Sequence, residues 1–266
     1  MSANDGRWDR VAEAPAPSWY LDPLVARQKR EVHQQLIRRW TEGCPVESVL
    51  KTDLFEEAFG EDQILFDLFP GPHRVIGIDV SWPTAARALR RSPLGTAFVL
   101  AADVRSLPLR SDLVDVIVSN STLDHFDTRE EFQAALSELA RVLRPGGVLV
   151  ISIDNAYNPL YQLLRLLSRL GVGPFPLGYT TSLRGLIQSL EKHGLEVAAK
   201  SRLIHNPRLI STLLFLGLRG TLGKRADTPI RWLLGLFSRL DALPTWPLTA
   251  CFVAACARKP AGPPVK

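Results

Sequence analysis

The sequence predicts an α/β protein with a doubly wound, mostly parallel sheet of seven strands. Short β-branched runs end in an acid or an amide, at Asp79, Asp103 and Asn120. Helical segments alternate with these runs, and no hairpin turn signals separate them. In open parallel sheets, ligands bind in the crevice beyond the carboxyl ends of the strands. The polar residues at the ends of these runs therefore predict a binding site there.

The beginning of the chain predicts a tail followed by a helix. Residues 1–22 are rich in alanine, proline and polar residues, so we expect a flexible N-terminal tail. Asp22-Pro23 then supplies an N-cap and a proline at the first helical position. Apolar residues recur at helical spacing over 23–41, which predicts an amphipathic helix. This helix either packs on the sheet or covers a bound ligand, and the sequence leaves both alternatives open.

Alternating patterns define the middle of the chain. Thr128 and Glu131 have the spacing of a capping box, which starts one of its helices. The expected strands are 46–50, 74–79, 97–101, 115–119 and 148–153, and the expected helices are 82–91, 128–143 and one within 55–69.

The last third of the chain adds two strands and two insertions. Helices are expected over 157–170 and 181–193, with Gly194 as the stop signal of the second. Strands are expected over 195–203 and 249–257, and the fully apolar second one is typical of a buried central strand. We therefore expect one domain over 23–258, with helical insertions at about 156–180 and 206–247, and a flexible tail over 259–266.

Composition narrows the class of protein. The chain has 266 residues and a net charge of +5, and the excess positive charge is concentrated near the C-terminal half. Three cysteines without a CxxC pair argue against a disulfide framework or a metal site. No signal peptide and no membrane span are expected, which favours the cytoplasm. The basic residues are interleaved with leucines rather than exposed aromatics, which argues against nucleic-acid binding.

The order of these pieces resembles that of class I S-adenosylmethionine (SAM) dependent methyltransferases, which have a Rossmann-like fold. The resemblance covers about residues 45–155. It is carried by Val75-Ile-Gly-Ile-Asp79, by Ala102-Asp-Val-Arg-Ser-Leu-Pro-Leu109, which matches a "D-x-x-x-L-P" stretch, and by the strand that ends at Asn120. The resemblance implies SAM as the cofactor.

The resemblance also implies roles for individual residues. Asp79 would accept hydrogen bonds from the ribose hydroxyls of the cofactor, with Val80 beside it. Asp103 would accept from the adenine amino group, and Val104 would pack on the ring. Asn120 would lie where the methyl group meets the acceptor. The alternatives are a helix N-cap for the first acid and a surface turn for the second.

Asp124 and His125 are the candidate catalytic residues. They follow the fourth strand, and an acid with a histidine could polarise or deprotonate an acceptor hydroxyl. The alternative is that the histidine only supports the cofactor pocket.

The first motif departs from the family pattern. The family carries an acid and then a Gly-x-Gly-x-Gly loop after the first strand, where glycines let the backbone approach the cofactor. Here Lys51 stands at the acid position, and the first glycine is Gly60. We expect Asp53 or Glu56 to contact the ammonium of the cofactor, or Lys51 to face its carboxylate instead. The alternative is a loop that no longer binds cofactor.

These features predict methyl transfer to a small hydrophobic acceptor, such as a lipid, a quinone-like compound or a secondary metabolite. The leucines of 157–170 would line a lid near the strand ends, and Ile230–Leu240 has the pattern of an interfacial helix. The alternative function is an inactive methyltransferase fold that binds a partner or a membrane surface. Peripheral membrane contact through 206–247 and a homodimer both stay open.

Overall fold

Seven strands form one sheet in the computed structural model, which describes residues 6–13, 22–60, 63–69, 74–92, 97–170 and 177–261. The strands are β1 (Ser48–Thr52), β2 (Arg74–Asp79), β3 (Ala97–Ala101), β4 (Val114–Asn120), β5 (Leu143–Asp154), β6 (Glu196–Leu203) and β7 (Phe252–Arg258). Their order is β3-β2-β1-β4-β5-β7-β6. The first five pair in parallel, and β7 runs antiparallel to both neighbours. The predicted fold class is confirmed.

Helices cover both faces of this sheet. They are α1 (Arg7–Glu13), α2 (Pro23–Thr41), α3 (Phe55–Phe59), α4 (Leu65–Leu68), α5 (Trp82–Arg91), α6 (Arg129–Val142), α7 (Pro159–Arg169), α8 (Leu183–Lys192), α9 (Arg208–Leu222), α10 (Asp227–Ser238) and α11 (Trp246–Thr249). One core cluster joins α6 and α8 to the sheet through residues such as Leu139 and Leu186. The other lies under α2 and α3 and includes Ile37 and Ala58.

Local signals placed several elements at the predicted positions. The Asp22 carboxylate caps α2, and Thr128 with Glu131 forms the predicted capping box of α6. The first strand begins at Ser48, two residues later than expected. The Asp115 carboxylate accepts hydrogen bonds from the Glu47 and Ser48 amides at 3.0 and 2.9 Å, which anchors the start of that strand.

The fifth strand is longer than predicted. It begins at Leu143, which pairs with Val114 across an irregular register. The Pro145-Gly146-Gly147 stretch, which precedes the predicted start at 148, lies inside it, and Gly146 has a φ of +80°. A glycine absorbs this left-handed conformation without strain, so the strand continues past a local kink.

The N-terminal segment departs from the predicted flexible tail. Residues 7–13 form α1, which packs against α5, and the Trp8 ring lies 4.8 Å from that of His125. The rest of the expected tail, 1–5 and 14–21, lies outside the described residues, as do 262–266 of the expected C-terminal tail. The α1 helix is therefore close to the predicted site.

The long insertion before β7 has a small core of its own. Ile230 and Leu234 of α10 are buried with Phe215 of α9, and Leu24 and Val25 of α2 pack against them. The apolar face that we predicted to be interfacial in Ile230–Leu240 is thus partly covered by the protein itself. Of the helices in the described ranges, none is long and apolar enough to cross a membrane.

Candidate active site at the strand ends

The crevice of the sheet opens between β1 and β4, where the strand order reverses. Three hydroxyls join the two strand ends at its base. The Thr52 hydroxyl lies 2.9 Å from that of Ser119 and 2.8 Å from that of Thr122. Ligands of doubly wound sheets bind at this reversal point. The crevice therefore locates the candidate site, and the predicted residues can be placed around it.

Asp79 ends β2 at one side of the crevice. Its carboxylate accepts hydrogen bonds from the Leu54 and Ser81 amides at 2.9 and 2.8 Å. Burial, and next the nearby Asp53 carboxylate, raise the pKa of Asp79 to about 7. The N-cap of α5 is Ser81, whose hydroxyl accepts from the Thr84 amide, so the helix-capping alternative for Asp79 is wrong.

Asp53 follows β1 in a conformation that glycine usually adopts. Its φ is +64°, and its carboxylate accepts a hydrogen bond from the Phe55 amide at 2.8 Å. The charge of the Asp53 carboxylate raises the pKa of Asp79, because a second negative charge nearby opposes ionisation of Asp79. Such a pair suits a ligand that brings hydroxyl donors or positive charge.

Lys51 does not face the crevice, in contrast to our expectation. Its side chain is 2% exposed, and its ammonium lies 2.8 Å from the Glu57 carboxylate, which is itself fully buried. The ammonium also donates to the Asp53 carbonyl. A buried charge requires a partner, and the nearby acid of α3 supplies one inside the protein. The ammonium of Lys51 is therefore directed at groups within the protein and not at a cofactor carboxylate.

The loop after β1 is filled with side chains where the family has glycines. Leu54 is fully buried, and a Cβ built on Gly77 of β2 would lie 2.8 Å from the nearer Leu54 methyl. Gly77 therefore makes room for Leu54 rather than for a ligand. In the family, glycines let the backbone approach the cofactor closely. In this chain, the side chain of Leu54 packs against Gly77 instead.

Asp103 and Val104 lie at the end of the site formed by β3. The carboxylate of Asp103 accepts from Nε and Nη2 of Arg105 at 2.9 and 2.8 Å. Arg105 also contacts Glu131 at the start of α6. Val104 is 6% exposed and belongs to the main core. Arg105 thus holds Asp103 at the edge of the site, and Val104 packs in the core next to it.

Unsatisfied polar atoms gather at the end of β4. The Asn120 Nδ2 and the Ser121 hydroxyl are buried, and no described residue makes a hydrogen bond to either. Asn120 Oδ1 accepts weakly from the Ser152 hydroxyl at 3.4 Å. Ser121 has a φ of +50°. Buried polar groups without partners are rare and indicate a missing ligand or water.

Asp124 is a buried acid with one free oxygen among the described residues. Its Oδ2 accepts from the Asp154 amide at 2.7 Å, whereas its Oδ1 has no hydrogen-bond partner there. Burial, and next the Asp154 carboxylate, raise the pKa of Asp124 to about 6. An acid that titrates close to neutral pH can exchange a proton with a bound ligand.

His125 lies between two elements that the sequence did not connect. Trp8 of α1 packs edge-on against its ring, at an interplanar angle of 68°. On the other side, the Gly178 amide donates to the Asp124 carbonyl at 3.0 Å. A Cβ on Gly178 would lie 2.1 Å from the Phe126 carbonyl oxygen, so only glycine allows this approach. The segment that follows α7 is therefore fixed against the catalytic candidates.

Two further residues of α7 belong to the site and were missed by sequence reasoning. Tyr161 is 1% exposed, and its hydroxyl donates to the Gly178 carbonyl at 3.3 Å. Arg165 follows one turn later, and its Nε is buried without a hydrogen-bond partner in the described part of the chain. Their spacing of four places both on one helical face. That spacing was the available signal, but the leucines around it suggested an apolar lid.

The polar groups at the crevice fit SAM, the cofactor of the family that the sequence resembles, in part. SAM carries a ribose diol and a net positive charge. The Asp53–Asp79 pair and the unpaired Asn120 amide suit those groups, whereas the loop after β1 lacks the glycine cradle. Within the described ranges, no three histidine, cysteine or acidic residues are grouped to hold a metal.

Comparisons with known proteins point to the same family. Residues 57–151 match the sequence model of a methyltransferase domain. The chain is 32% identical over 123 residues to a probable SAM-dependent methyltransferase of Mycolicibacterium smegmatis, covering 46% of this chain and 44% of that one. It is 29% identical over 146 residues to malonyl-[acyl-carrier protein] O-methyltransferase of Hahella chejuensis, covering 54% and 49%. The chain thus spans less than half the length of these relatives.

Other similarities are shorter or limited to fold. A tRNA (carboxymethyluridine(34)-5-O)-methyltransferase of Arabidopsis thaliana is 38% identical over 66 residues, covering 25% of this chain and 16% of that one. The N-methyltransferase NodS of Bradyrhizobium japonicum, solved with S-adenosylhomocysteine, superposes with a TM-score of 0.58 at 19% identity. That match covers 95% of this chain and 96% of NodS, and it shows a shared fold.

Proposed function

Since the chain carries a class I SAM-dependent methyltransferase domain, we propose that it transfers the methyl group of SAM to a small, hydrophobic acceptor. The observation that carries the proposal is the acidic pair Asp53 and Asp79 at the reversal point of the sheet, beside the unpaired amide of Asn120. The two carboxylates keep acceptor lone pairs beyond their backbone contacts, and the Asn120 Nδ2 is a donor without a partner among the described residues. A nucleoside with a positively charged amino-acid end satisfies them.

The proposed cofactor site uses most of the predicted residues. Asp79 binds the ribose hydroxyls, with the half-exposed Val80 beside it, and Asp53 attracts the ammonium. Asp103 takes the adenine amino group, because a carboxylate held by one arginine keeps free lone pairs. Val104 supports this end from below, and Asn120 donates its Nδ2 hydrogens to the amino-acid end.

When bound, SAM supplies an electrophilic methyl group with a good leaving group. The residues of this chain then orient the acceptor and exclude water, which accounts for much of the rate in such reactions. Asp124 and His125 follow β4 at the same end of the sheet as the proposed cofactor residues, and we place the acceptor hydroxyl beside them. We propose that they accept the proton of that hydroxyl, with the unpaired Oδ1 of Asp124 as the first acceptor.

The acceptor is proposed to be apolar because the wall of the site is made by α7. Leu164 and Leu167 are half-buried in that helix, next to the buried Tyr161. Named acceptors among the relatives include a malonyl group and a tRNA base. The tRNA enzyme aligns over only 66 residues, so that similarity does not extend to the insertions that would contact an acceptor.

The first experiment is calorimetric titration of the protein with SAM and with S-adenosylhomocysteine. Micromolar binding that Asp79→Ala abolishes is the expected result. Asp67→Ala is the matched control, because it removes an acid that is exposed on α4, and it should bind like the wild type. Absence of binding by the folded wild type would contradict the proposal.

A second candidate function is supported by the filled loop after β1. If Leu54 and the Lys51–Glu57 pair close the cofactor site, the protein is an inactive relative that binds a partner or a membrane. That function predicts no binding of either ligand at millimolar concentration, together with unchanged thermal stability in their presence. A rise in the melting temperature with S-adenosylhomocysteine would exclude it.

A further inference from the structure

Six large apolar side chains are exposed on the outer faces of α7 and α9. They are Leu163, Leu166, Leu170, Ile210, Leu213 and Leu214, and together we call them the apolar stripe. Leu170 and Leu213 are the most exposed, at 70% and 63%. Leu163, Leu166 and Leu170 lie three to seven residues apart, and Leu213 and Leu214 lie three and four residues after Ile210, which places each set on one side of its helix. Because α7 packs against α9, the two sets lie on neighbouring helices.

The inner faces of both helices already have partners. Tyr161 of α7 is buried against the segment at Gly178, and Phe215 of α9 is buried in the cluster with Ile230. The stripe is therefore a second apolar face, which folding of the monomer leaves in water. Contiguous exposed apolar surface of this kind marks a site of interaction with a protein or a membrane.

The charges next to the stripe identify its partner. Lys224 and Arg225 follow α9 directly, are exposed, and make no ion pair with any described residue. The nearest acid in the sequence, Asp227, is bound by Arg219 and Arg231. The helix α7 contains no acid at all. The insertion thus presents apolar side chains with unneutralised positive charge at one end.

We propose that the apolar stripe, together with Lys224 and Arg225, seats the protein on an anionic lipid surface. Helices with an apolar face and basic residues at its edge lie in the headgroup region of such membranes. A second copy would bring a stripe with the same two cations at its end, so it offers Lys224 and Arg225 no complementary charge. Charge complementarity therefore favours the lipid surface over a second copy.

The position of α7 connects this surface to the proposed activity. Its inner face forms a wall of the site through Tyr161, and its outer face carries Leu163, Leu166 and Leu170. An acceptor dissolved in the membrane would reach the site along this helix. This last step rests on the proposed methyl transfer, whereas the binding to lipid does not.

The experiment is co-sedimentation of the full chain with vesicles made of equal parts phosphatidylcholine and phosphatidylglycerol. The wild type should pellet with these vesicles, and binding should fall in high salt and with vesicles of phosphatidylcholine alone. Reversal of both charges in Lys224→Glu/Arg225→Glu should weaken binding by about 25-fold or more, given about fivefold for each basic residue lost. Leu213→Glu should abolish binding.

Two control variants separate the possible failures. Leu89→Glu changes an exposed leucine of α5, outside the stripe, and should bind vesicles like the wild type. Asp79→Ala should also bind vesicles normally while it loses S-adenosylhomocysteine, so a defect in the cofactor site cannot imitate a defect in docking. Circular dichroism confirms that each variant is folded.

Two outcomes would overturn the proposal. One is a folded wild type that stays in the supernatant with the anionic vesicles. The other is a dimer in analytical ultracentrifugation that Leu213→Glu converts to a monomer, since the stripe would then be covered by a second copy of the chain.

Discussion

The ammonium of Lys51 lies 2.8 Å from the Glu57 carboxylate, and both side chains are buried at the end of β1. Glu57 also accepts a hydrogen bond from the Leu65 amide at 2.9 Å, so the pair joins β1, α3 and α4. In the family pattern, the position of Lys51 carries an acid, and a glycine loop follows it. Here Lys51 pairs with an acid of α3, and this pair closes the loop after β1.

This pair predicts a strongly non-additive mutant cycle. Glu57→Gln keeps the acceptor for the Leu65 amide but leaves the Lys51 ammonium unpaired, which should cost about 3–5 kcal/mol of unfolding free energy. Lys51→Met leaves the carboxylate unpaired and should cost a similar amount. The double variant should recover most of the loss, because no buried charge remains. Urea unfolding of the four proteins tests this, and additive losses would show that the pair is not coupled.

Asp79 predicts that cofactor affinity depends on pH. Its pKa is raised to about 7, and the ribose hydroxyls require the ionised form as an acceptor. Affinity for S-adenosylhomocysteine should therefore be constant above pH 7 and fall by up to about tenfold per pH unit below it. Calorimetry between weakly acidic and weakly basic pH measures this. Asp79→Asn should bind weakly throughout, and a slope that persists in that variant would assign the titration to another group.

The same group contributes to stability with a defined sign. In the unfolded chain Asp79 ionises near its ordinary value of 3.8, and in the folded protein near 7. Ionisation therefore favours the unfolded chain between these values, and the contribution of Asp79 to stability falls as pH rises from about 4 to 7. In ligand-free protein, Asp79→Asn should thus be more stable relative to the wild type at pH 8 than at pH 4.

Sequence reasoning succeeded where the signals are local. The ranges 74–79, 82–91 and 97–101 were predicted with the observed bounds, because caps and residue periodicity act within a few residues. The site was predicted only in outline. Contacts of Trp8 with His125 join residues more than a hundred positions apart, and no pattern in one sequence encodes such a distance.

Lys51 shows a second limit of prediction from the sequence. A lysine after the first strand can face a ligand or an internal acid, and both satisfy its charge. Glu57 lies six residues away, but only the fold of α3 brings it back to the strand end. The sequence contained both residues of the pair, and the choice between the two partners depended on tertiary packing.

His125 and Asp79 should affect different steps of the proposed reaction. His125→Ala should lower turnover by about a hundredfold or more while the affinity for S-adenosylhomocysteine changes little, because the histidine acts on the acceptor. Turnover can be followed as transfer of a radiolabelled methyl group from SAM to an organic extract of cells. His125→Asn is the matched variant that keeps a polar group. If cofactor affinity and turnover fall equally in His125→Ala and in His125→Asn, a role of His125 in proton transfer is contradicted.

A buried histidine of α2 predicts how the protein responds to acid. His33 of α2 donates from Nδ1 to the Lys29 carbonyl at 2.7 Å, and its Nε2 lies 3.3 Å from the Ser152 hydroxyl of β5. Burial, and next the charge of Lys29, lower the pKa of His33 from 6.5 to about 4. The folded protein therefore holds this ring neutral at a pH where the unfolded chain protonates it.

The stability that neutral His33 provides should be lost as pH falls from about 6.5 toward 4, since the unfolded chain gains the proton first. Between pH 7.5 and pH 5 this amounts to about 2 kcal/mol of unfolding free energy. Urea unfolding at pH 7.5 and at pH 5 should show that the wild type loses about 2 kcal/mol more unfolding free energy than His33→Gln does. His193→Gln is the comparison, because burial and the charge of Lys192 lower the pKa of His193 too, but that histidine is only partly buried, so its replacement should have a smaller effect. If the wild type and His33→Gln lose the same stability in acid, the ring is not held neutral by burial.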